Sequence, residues 1–476
     1  MADTFLHGVE VIDIDDGARP ISTVATSIIG IVGTAPDADP ATFPLNTPVL
    51  VAGSQATAAK LDMTGNGLGT LPDAMDSILK QAGAVVVVVR VDKGTTDQAT
   101  LANVLGGVDA NTGQYEGIQA FLAAGSILGF SPRLLIAPGF THQRVQGGVI
   151  AVAFTAGSGY TDGTYDMAAT GGTGGAGAIA TATVSGGKVT GVVVKVSGAA
   201  YTAAPSFQLP AGAGAGTGAT FTATIGTAGN AVVADLLGIA ERLRAVIIQD
   251  GPNTNDTDAI AAAGDFGSKR VYVVDPMFIK TNGAGDLIQS YSSAAVAGLI
   301  AYVDNTLGWW WSPSNQTLNG VQGTARAIDF KLGDPSSRAN LLNSKNVATI
   351  IRQNGYRLWG NRTLSSDPKW QFLCVVRTAD IINDSLQAAH LWAVDRGITK
   401  QYVTEVVEGV NAFLRSMVTQ GAILGGTCWA DPDLNTAAAI ANGQVYFDFD
   451  FTPAYPAEHI TFRSHLVNDY VQTIFN

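Results

Sequence analysis

Five histidines, His7, His142, His390, His459 and His465, are this chain's supply of near-neutral bases and imidazole ligands. None lies in an HExxH pair, near a nucleophile elbow or beside a CxxC, the spacings that hydrolytic or zinc chemistry requires. Cys374 and Cys428 stand far apart without a neighbouring ligand pair, so they read as core thiols, not as a disulfide framework or a zinc site. Gly65-Asn-Gly67-Leu-Gly69 has the glycine density of a phosphate loop without its Lys-Ser/Thr, and the Gly212–Gly218 run has no helix after it. Asp448 and Asp450, two residues apart, mark the solvated or partner-facing side of a half-buried strand better than a carboxylate pair for acid-base work. His390, beside Trp392 in a helical pattern, reads as a packed, hydrogen-bonded histidine. Trp309-Trp310-Trp311 has the surface to stack on a sugar, but fits a loop or interface anchor better. The expectation is no catalytic residue, no cofactor and no metal. An enzyme with Ser, Asp and His142 or His390 converging at strand ends would need a nucleophile motif that these strand ends lack.

The elements that would position such groups follow from hydrophobic periodicity. Residues 84–91 (AVVVVVRV) form a β-branched run suited to a strand buried on both faces of a parallel sheet. Runs at 134–138 (LLIAP), 245–250 (AVIIQD) and 271–275 (VYVVD) end in turn signals, and helices are predicted over Ala231–Arg244 and Asp286–Asp304. This alternation predicts an α/β core with a mixed or parallel sheet. Beyond residue 365 two amphipathic helices are expected. One buries Ile382, Leu386, Ala389 and Ala393, the other Val403, Val407, Val410, Leu414 and Met417. The strand YFDFDF (446–451) then presents Phe447, Phe449 and Phe451 on one face, giving an α+β C-terminal domain.

Residues 144–230 break the pattern with five charged residues, no Trp and many Gly, Ala and Thr. Gly157-Ser-Gly-Tyr160-Thr161 recurs as Gly198-Ala-Ala-Tyr201-Thr202, and Gly177–Thr183 recurs as Gly218–Thr224, at one 41-residue offset. Two copies read as a small all-β domain inserted at a surface loop, since without it PGFTHQ leads directly into the Asn230 helix.

The chain has 476 residues, 46% hydrophobic and only 14% charged, with net charge −12, which excludes disorder and argues against nucleic-acid or anionic-membrane binding. So little charge suggests a surface that largely meets other protein. The first residues lack a basic start and apolar run, and no stretch nears 18 apolar residues, so synthesis in the cytoplasm without membrane insertion is expected. At the ends, GVEVIDID (8–15) has strand character through Val9, Val11, Ile12 and Ile14. His459–Arg463 alternates Ile460 and Phe462 against Thr461 and Arg463, with helix spacing open beyond, from Leu466. Terminal strands need a sheet edge, in their own subunit or in a neighbouring copy.

Several segments together carry a family likeness: HGVEVIDIDDGARPISTVATSIIGIVGTA, TFPLNTPVL, PRLLIAPG, NGYRLWGNRT, HLWAVDRGIT and YFDFDFTPAYPAEHITFRSHLVNDYV. In order, and over nearly all of the chain outside 144–230, they resemble the tail sheath proteins of contractile-tailed bacteriophages and of R-type pyocins. The resemblance implies hexameric rings stacked helically around a tail tube protein, with baseplate and tail terminator partners. It implies a metastable virion sleeve that contracts and drives the tube through the host envelope for genome ejection. It also implies arms at 1–20 and 459–476 that exchange strands between subunits, around a core of 21–143 and 231–365 and a C-terminal domain at 366–458. Lys400 and Arg415 become candidates to face the tube, and the 144–230 insert, which compact relatives lack, is expected to face outward. The alternative is a surface adhesin that binds glycans through that insert.

Overall fold

The computed structural model describes residues 21–468 and 470–471. In chain order the principal strands begin with β1 (Ile29–Thr34), β2 (Val49–Ala52), β3 (Val85–Val91) and β4 (Leu134–Ile136). There follow β5 (Val145–Ser158), β6 (Gly163–Ala168), β7 (Ala176–Ser185), β8 (Lys188–Ala199) and β9 (Thr217–Ala228). Next come β10 (Val246–Asp250), β11 (Val271–Val274), β12 (Phe278–Thr281), β13 (Leu287–Ser290), β14 (Val347–Arg352) and β15 (Tyr356–Trp359), then β16 (Ile423–Ala430) and β17 (Phe447–Pro453). The main helices are α1 (Leu71–Leu79), α2 (Ala231–Leu243), α3 (Ser292–Thr306), α4 (Leu373–Ala389) and α5 (Lys400–Gln420).

An eight-stranded sheet in the order β15-β14-β11-β10-β4-β1-β3-β2 forms the core. Its inner pairings are parallel and both edge strands run antiparallel, so the sheet is mixed. The valine runs explain why it is covered on both sides. Val86 and Val88 point into the cluster made by α1 and α3, while Val87 and Val89 point to the opposite cluster, which holds α2. Gly298 lets α3 approach α1, because a Cβ there would lie 2.7 Å from the Ile78 carbonyl oxygen.

The helix expected from Asp286 begins instead at Ser292, and Leu287–Ser290 is β13, paired antiparallel with β12. Asn282 decides this, since its Oδ1 accepts from the amides of Ala284 and Asp286 and turns the chain into a hairpin. The α3 N-terminus is capped from a distance. The buried Asp250 carboxylate at the end of β10 accepts from the Ser293 amide at 2.7 Å and the Ser293 hydroxyl at 2.6 Å. Burial nevertheless lifts its pKa to about 6, with the Asp275 charge adding to the shift.

Strands β5–β9 belong to sheets of their own. β7 pairs with β8 and β9 pairs with β5, and these two pairings are related by the 41-residue offset: Ser197↔Ala178 corresponds to Ala156↔Ala219. The repeated tyrosines cross between copies. The Ala219 amide donates to Tyr160 Oη and the Ala178 amide to Tyr201 Oη, both at 3.2 Å. Gly216 and Gly175 are the matching close approaches, where a Cβ would lie 2.3 Å from the Tyr160 ring and 2.4 Å from the Tyr201 ring. The two copies thus interlock about a pseudo-two-fold axis. At the neck, Val145 pairs with Ala228, and Asn230 caps α2 while donating to the carbonyls of Phe140 and Gln143.

Beyond the sheet, α4, α5, β16 and β17 pack around a third cluster that includes Trp309, Tyr402, Val410, Leu414, Met417 and Cys428. α4 joins this lobe to the α/β core with buried charge. Asp380 pairs with Arg270, Asp384 with Arg133 and Arg244, and Arg377 with Asp304 of α3. Breaking one such pair strands a charge in low dielectric, which is strongly destabilising.

Gly175→Ala and Gly216→Ala should destabilise the β5–β9 module by similar amounts, about 1–3 kcal/mol each by overpacking, read as matched shifts of its melting transition. Asp250 binds protons more tightly folded than unfolded, so its contribution to stability falls as pH rises from about 4 to about 6. Asp250→Asn should therefore gain about 2–3 kcal/mol relative to wild type between pH 4.5 and pH 8 in denaturant titrations.

Candidate functional site

The usual crevice of an open α/β sheet, where the strand order reverses between β1 and β4, is filled by the protein itself. Thr70 donates its amide to the Thr34 carbonyl and accepts the Thr34 amide on its hydroxyl. A Cβ on Gly33 would lie 2.3 Å from the Thr70 hydroxyl, and one on Gly139 would meet Thr70 and Tyr291. His142 packs on Tyr291 with ring centroids 5.3 Å apart, and burial pushes its pKa down. His390 lies in the other lobe, at the end of α4, with Nδ1 2.6 Å from the Leu386 carbonyl oxygen. The two candidate histidines therefore do not converge. Cys374 and Cys428 are buried thiols with pKa values pushed up to about 11 by desolvation, as expected of core cysteines. Of the three tryptophans, Trp309 is buried, Trp310 packs edge-on against it, and only Trp311 is exposed, so they form no stacking platform.

The C-terminal lobe presents a different kind of site. Thr399 caps α5 by accepting the Tyr402 amide, and Gly421 ends the helix at φ +81. The helix buries Tyr402, Val406, Val410, Phe413, Leu414 and Met417, while Val403 and Val407 sit half-buried at the margin of the expected face. Aromatic packing sets that rotation, because Tyr402 meets Trp392 and Phe447 at 6.2 and 6.5 Å between ring centroids. Against this face lie β16 and β17, an antiparallel pair with Trp429 opposite Asp448 and Thr427 opposite Asp450. Phe447, Phe449 and Phe451 pack into the cluster, on the face predicted by their alternation.

This sheet has only two strands among the described residues. A two-stranded sheet leaves two rows of backbone groups unpaired. Asn411 of α5 closes part of one row by holding the Cys428 amide at 2.8 Å and the Cys428 carbonyl at 3.0 Å, as a neighbouring strand would. No described residue pairs with the outer edge of β17.

The first described residues and the segment after β17 both pack near this sheet. Ile21 and Val24 pack into the same cluster, and the Val24 amide donates to Ser385 of α4. At the other end the Ala454 amide donates to the Ala422 carbonyl, Tyr455 meets Phe372 edge-on, and Glu458 binds the Arg362 guanidinium in a bidentate pair. From residue 459 onward the described chain carries no strand, so the expected His459–Arg463 strand has no partner among the described residues. Ile460, Phe462 and Leu466 are 66%, 93% and 99% exposed. Val9, Val11, Ile12 and Ile14 lie outside the described residues. Lys400 and Arg415 are exposed on α5, where Glu405 and Glu408 share the exposed side, so both signs of charge are present. Sequence reading missed the packing of Ile21 and Val24 beside this sheet and the Asn411 clamp, since both depend on contacts distant in the chain.

Three family models match: the phage tail sheath C-terminal domain over 365–466, the phage tail sheath protein central domain over 195–364, and the tail sheath protein Gp18 domain III N-terminal region over 26–91. A protein of Pseudomonas aeruginosa (strain UCBPP-PA14) described as a prophage major tail sheath protein is 36% identical over 475 residues, 99% of each chain. The tail sheath protein of Escherichia phage P2 is 31% identical over 480 residues, covering 98% of this chain and 97% of that one. In fold, the chain is similar to the sheath of an extracellular contractile injection system in its contracted state, with TM-score 0.60, 15% identity and coverage of 99% and 100%. It is likewise similar to the contracted helical sheath of the anti-feeding prophage, with TM-score 0.60, 16% identity and coverage of 98% and 100%.

Asn411→Ala should cost about 1–3 kcal/mol, because it leaves the Cys428 amide and carbonyl without their partner, and urea titration of the monomer should read this loss.

Proposed function

The chain belongs to the phage tail sheath protein family and is a structural subunit of a contractile phage tail, not an enzyme, and from that premise we propose how it assembles. Subunits join as a helical homopolymer of stacked hexameric rings around a tail tube protein, between a baseplate and a tail terminator. The arm at 1–20, with Val9, Val11, Ile12 and Ile14, and the arm at 459–476, with Ile460, Phe462 and Leu466, add strands to the β16–β17 sheets of neighbouring copies. Residues 21–143 with 231–365, and 366–458, act as the two body domains. Residues 144–230 face outward and Lys400 and Arg415 face the tube.

One observation carries this reading: a two-stranded sheet with an edge unpaired among the described residues, near which both Ile21–Val24 and the segment after β17 pack. Exposed apolar residues on a segment unpaired among the described residues favour capture by another copy, which would supply both main-chain pairing and apolar burial. The similar solved structures include contracted sheaths and a baseplate, which suits a polymer of this kind.

A heterologous interface along one axis gives open helical growth. Free energy stored as a kinetically trapped extended state removes the need for a nucleotide site, and a gain of only about a few kcal/mol per subunit accumulates over many copies. Strand-exchanged arms keep neighbours joined while rigid bodies rotate past one another.

Negative-stain electron microscopy of the concentrated protein should show hollow tubes. Val11→Pro or Ile460→Pro should abolish them while leaving the monomer's circular dichroism unchanged, because proline removes a ladder hydrogen bond. Undiminished tubes in both variants would overturn arm exchange.

A further inference from the structure

We infer that Arg377, Asp304 and Ser385 form an anchor that grips the root of the N-terminal arm and transfers tension from it into both lobes of the subunit. The inference rests on the proposed exchange of arms. Residues 21–28 contain no regular secondary structure, yet they run from the C-terminal cluster at Ile21 and Val24 to the α/β cluster at Ile28. An irregular segment in that position needs partners for its backbone groups. α4 supplies them. The Val24 amide donates to Ser385 Oγ at 3.2 Å, and Arg377 Nη2 donates to the Thr26 carbonyl at 3.1 Å. The Thr26 hydroxyl donates to Asp304 Oδ2 at 2.8 Å, and Arg377 Nη1 donates to Asp304 Oδ1 at 2.8 Å.

The Arg377 and Asp304 side chains are 4% and 1% exposed. A buried ion pair is weak evidence of stabilisation, because apolar side chains of similar volume often serve stability as well or better. What this pair does that an apolar pair would not is hold the carbonyl and hydroxyl of Thr26 in a fixed place. A pull on residues 1–20 meets Val24 and Thr26 before it reaches β1. From there it passes to α4, whose Asp380 and Asp384 are bound to Arg270, Arg133 and Arg244 of the core, and to α3 through Asp304. The arm is thus tied across the joint between the lobes, where tension cannot peel β1 from the sheet one bond at a time.

The test removes the anchor without stranding a charge, by combining Arg377→Met with Asp304→Leu in the full chain. Ser385→Ala serves as an independent variant and Ser385→Thr as its conservative rescue. Hydrogen exchange of the peptide covering 21–28 in the monomer should quicken by about tenfold or more in the double variant and in Ser385→Ala, and return toward wild type in Ser385→Thr. Polymers of the first two should break into short pieces under shear that wild-type polymers survive, although the monomers melt within a few degrees of wild type. Wild-type exchange at 21–28 in the double variant and in Ser385→Ala would overturn the grip. Faster exchange with wild-type shear resistance would overturn the transfer of tension. Failure of the wild-type chain to polymerise would count against arm exchange itself, while the exchange measurement still reads the grip.

Discussion

Helix α4 carries buried charge into the joint between two lobes, and the arrangement of the subunit depends on that charge being neutralised. Desolvation raises the pKa of Asp380 and lowers that of Arg133, so each ion would be costly alone. Paired, they define a single geometry. A slip of the C-terminal lobe by one helical turn would leave Asp380, Asp384 and Arg377 facing the wrong partners. Hydrophobic packing alone tolerates such slips more readily, because it is non-directional. The C-terminal lobe is therefore held in register with the sheet that forms the body of the subunit.

That fixed register gives meaning to the two-stranded sheet in the same lobe. β16 and β17 bury one face against α5 and leave an edge open. In a monomer an open edge is a liability that proteins usually cover with charge or irregularity. Here Asn411 covers part of the β16 edge, and β17 ends in Pro453 without a covering element among the described residues. A body with fixed lobes, an edge unpaired among the described residues and exposed apolar side chains at Ile460, Phe462 and Leu466 is suited to polymer formation. The filled crevice at the head of the α/β sheet is equally informative, since glycines at 33 and 139 bring Thr70 into the place where ligands bind in many such folds. The scaffold is used here as a solid body.

The glycine-rich module achieves order with little charge by repetition. Its two copies exchange contacts, so that Tyr160 and Tyr201 each satisfy a backbone amide of the other copy. A single copy would leave each ring without the amide and the glycine face that it packs against. The terminal strands β5 and β9 pair with each other at the neck, which lets the module join the core through adjacent chain ends.

By itself the sequence determined the layer architecture, the module and its 41-residue repeat, the two C-terminal helices and the Phe447–Phe451 face, although α4 ends at Ala389 and Ala393 of the expected stripe lies in a separate turn beyond it. These are local signals: a period of two or of about four residues, β-branched runs, and glycines at turns. Periodicity misled at Asp286, where step-four apolar residues straddle a hairpin turn fixed by Asn282, and it placed the buried face of α5 slightly off because Tyr402 packs on aromatic partners remote in the chain. The tertiary structure alone decided which charges meet on α4, that Asn411 closes one sheet edge, and that Val24 is held by Ser385 of α4. These contacts join residues separated by up to 361 positions, and no local pattern encodes which partner a buried side chain will find.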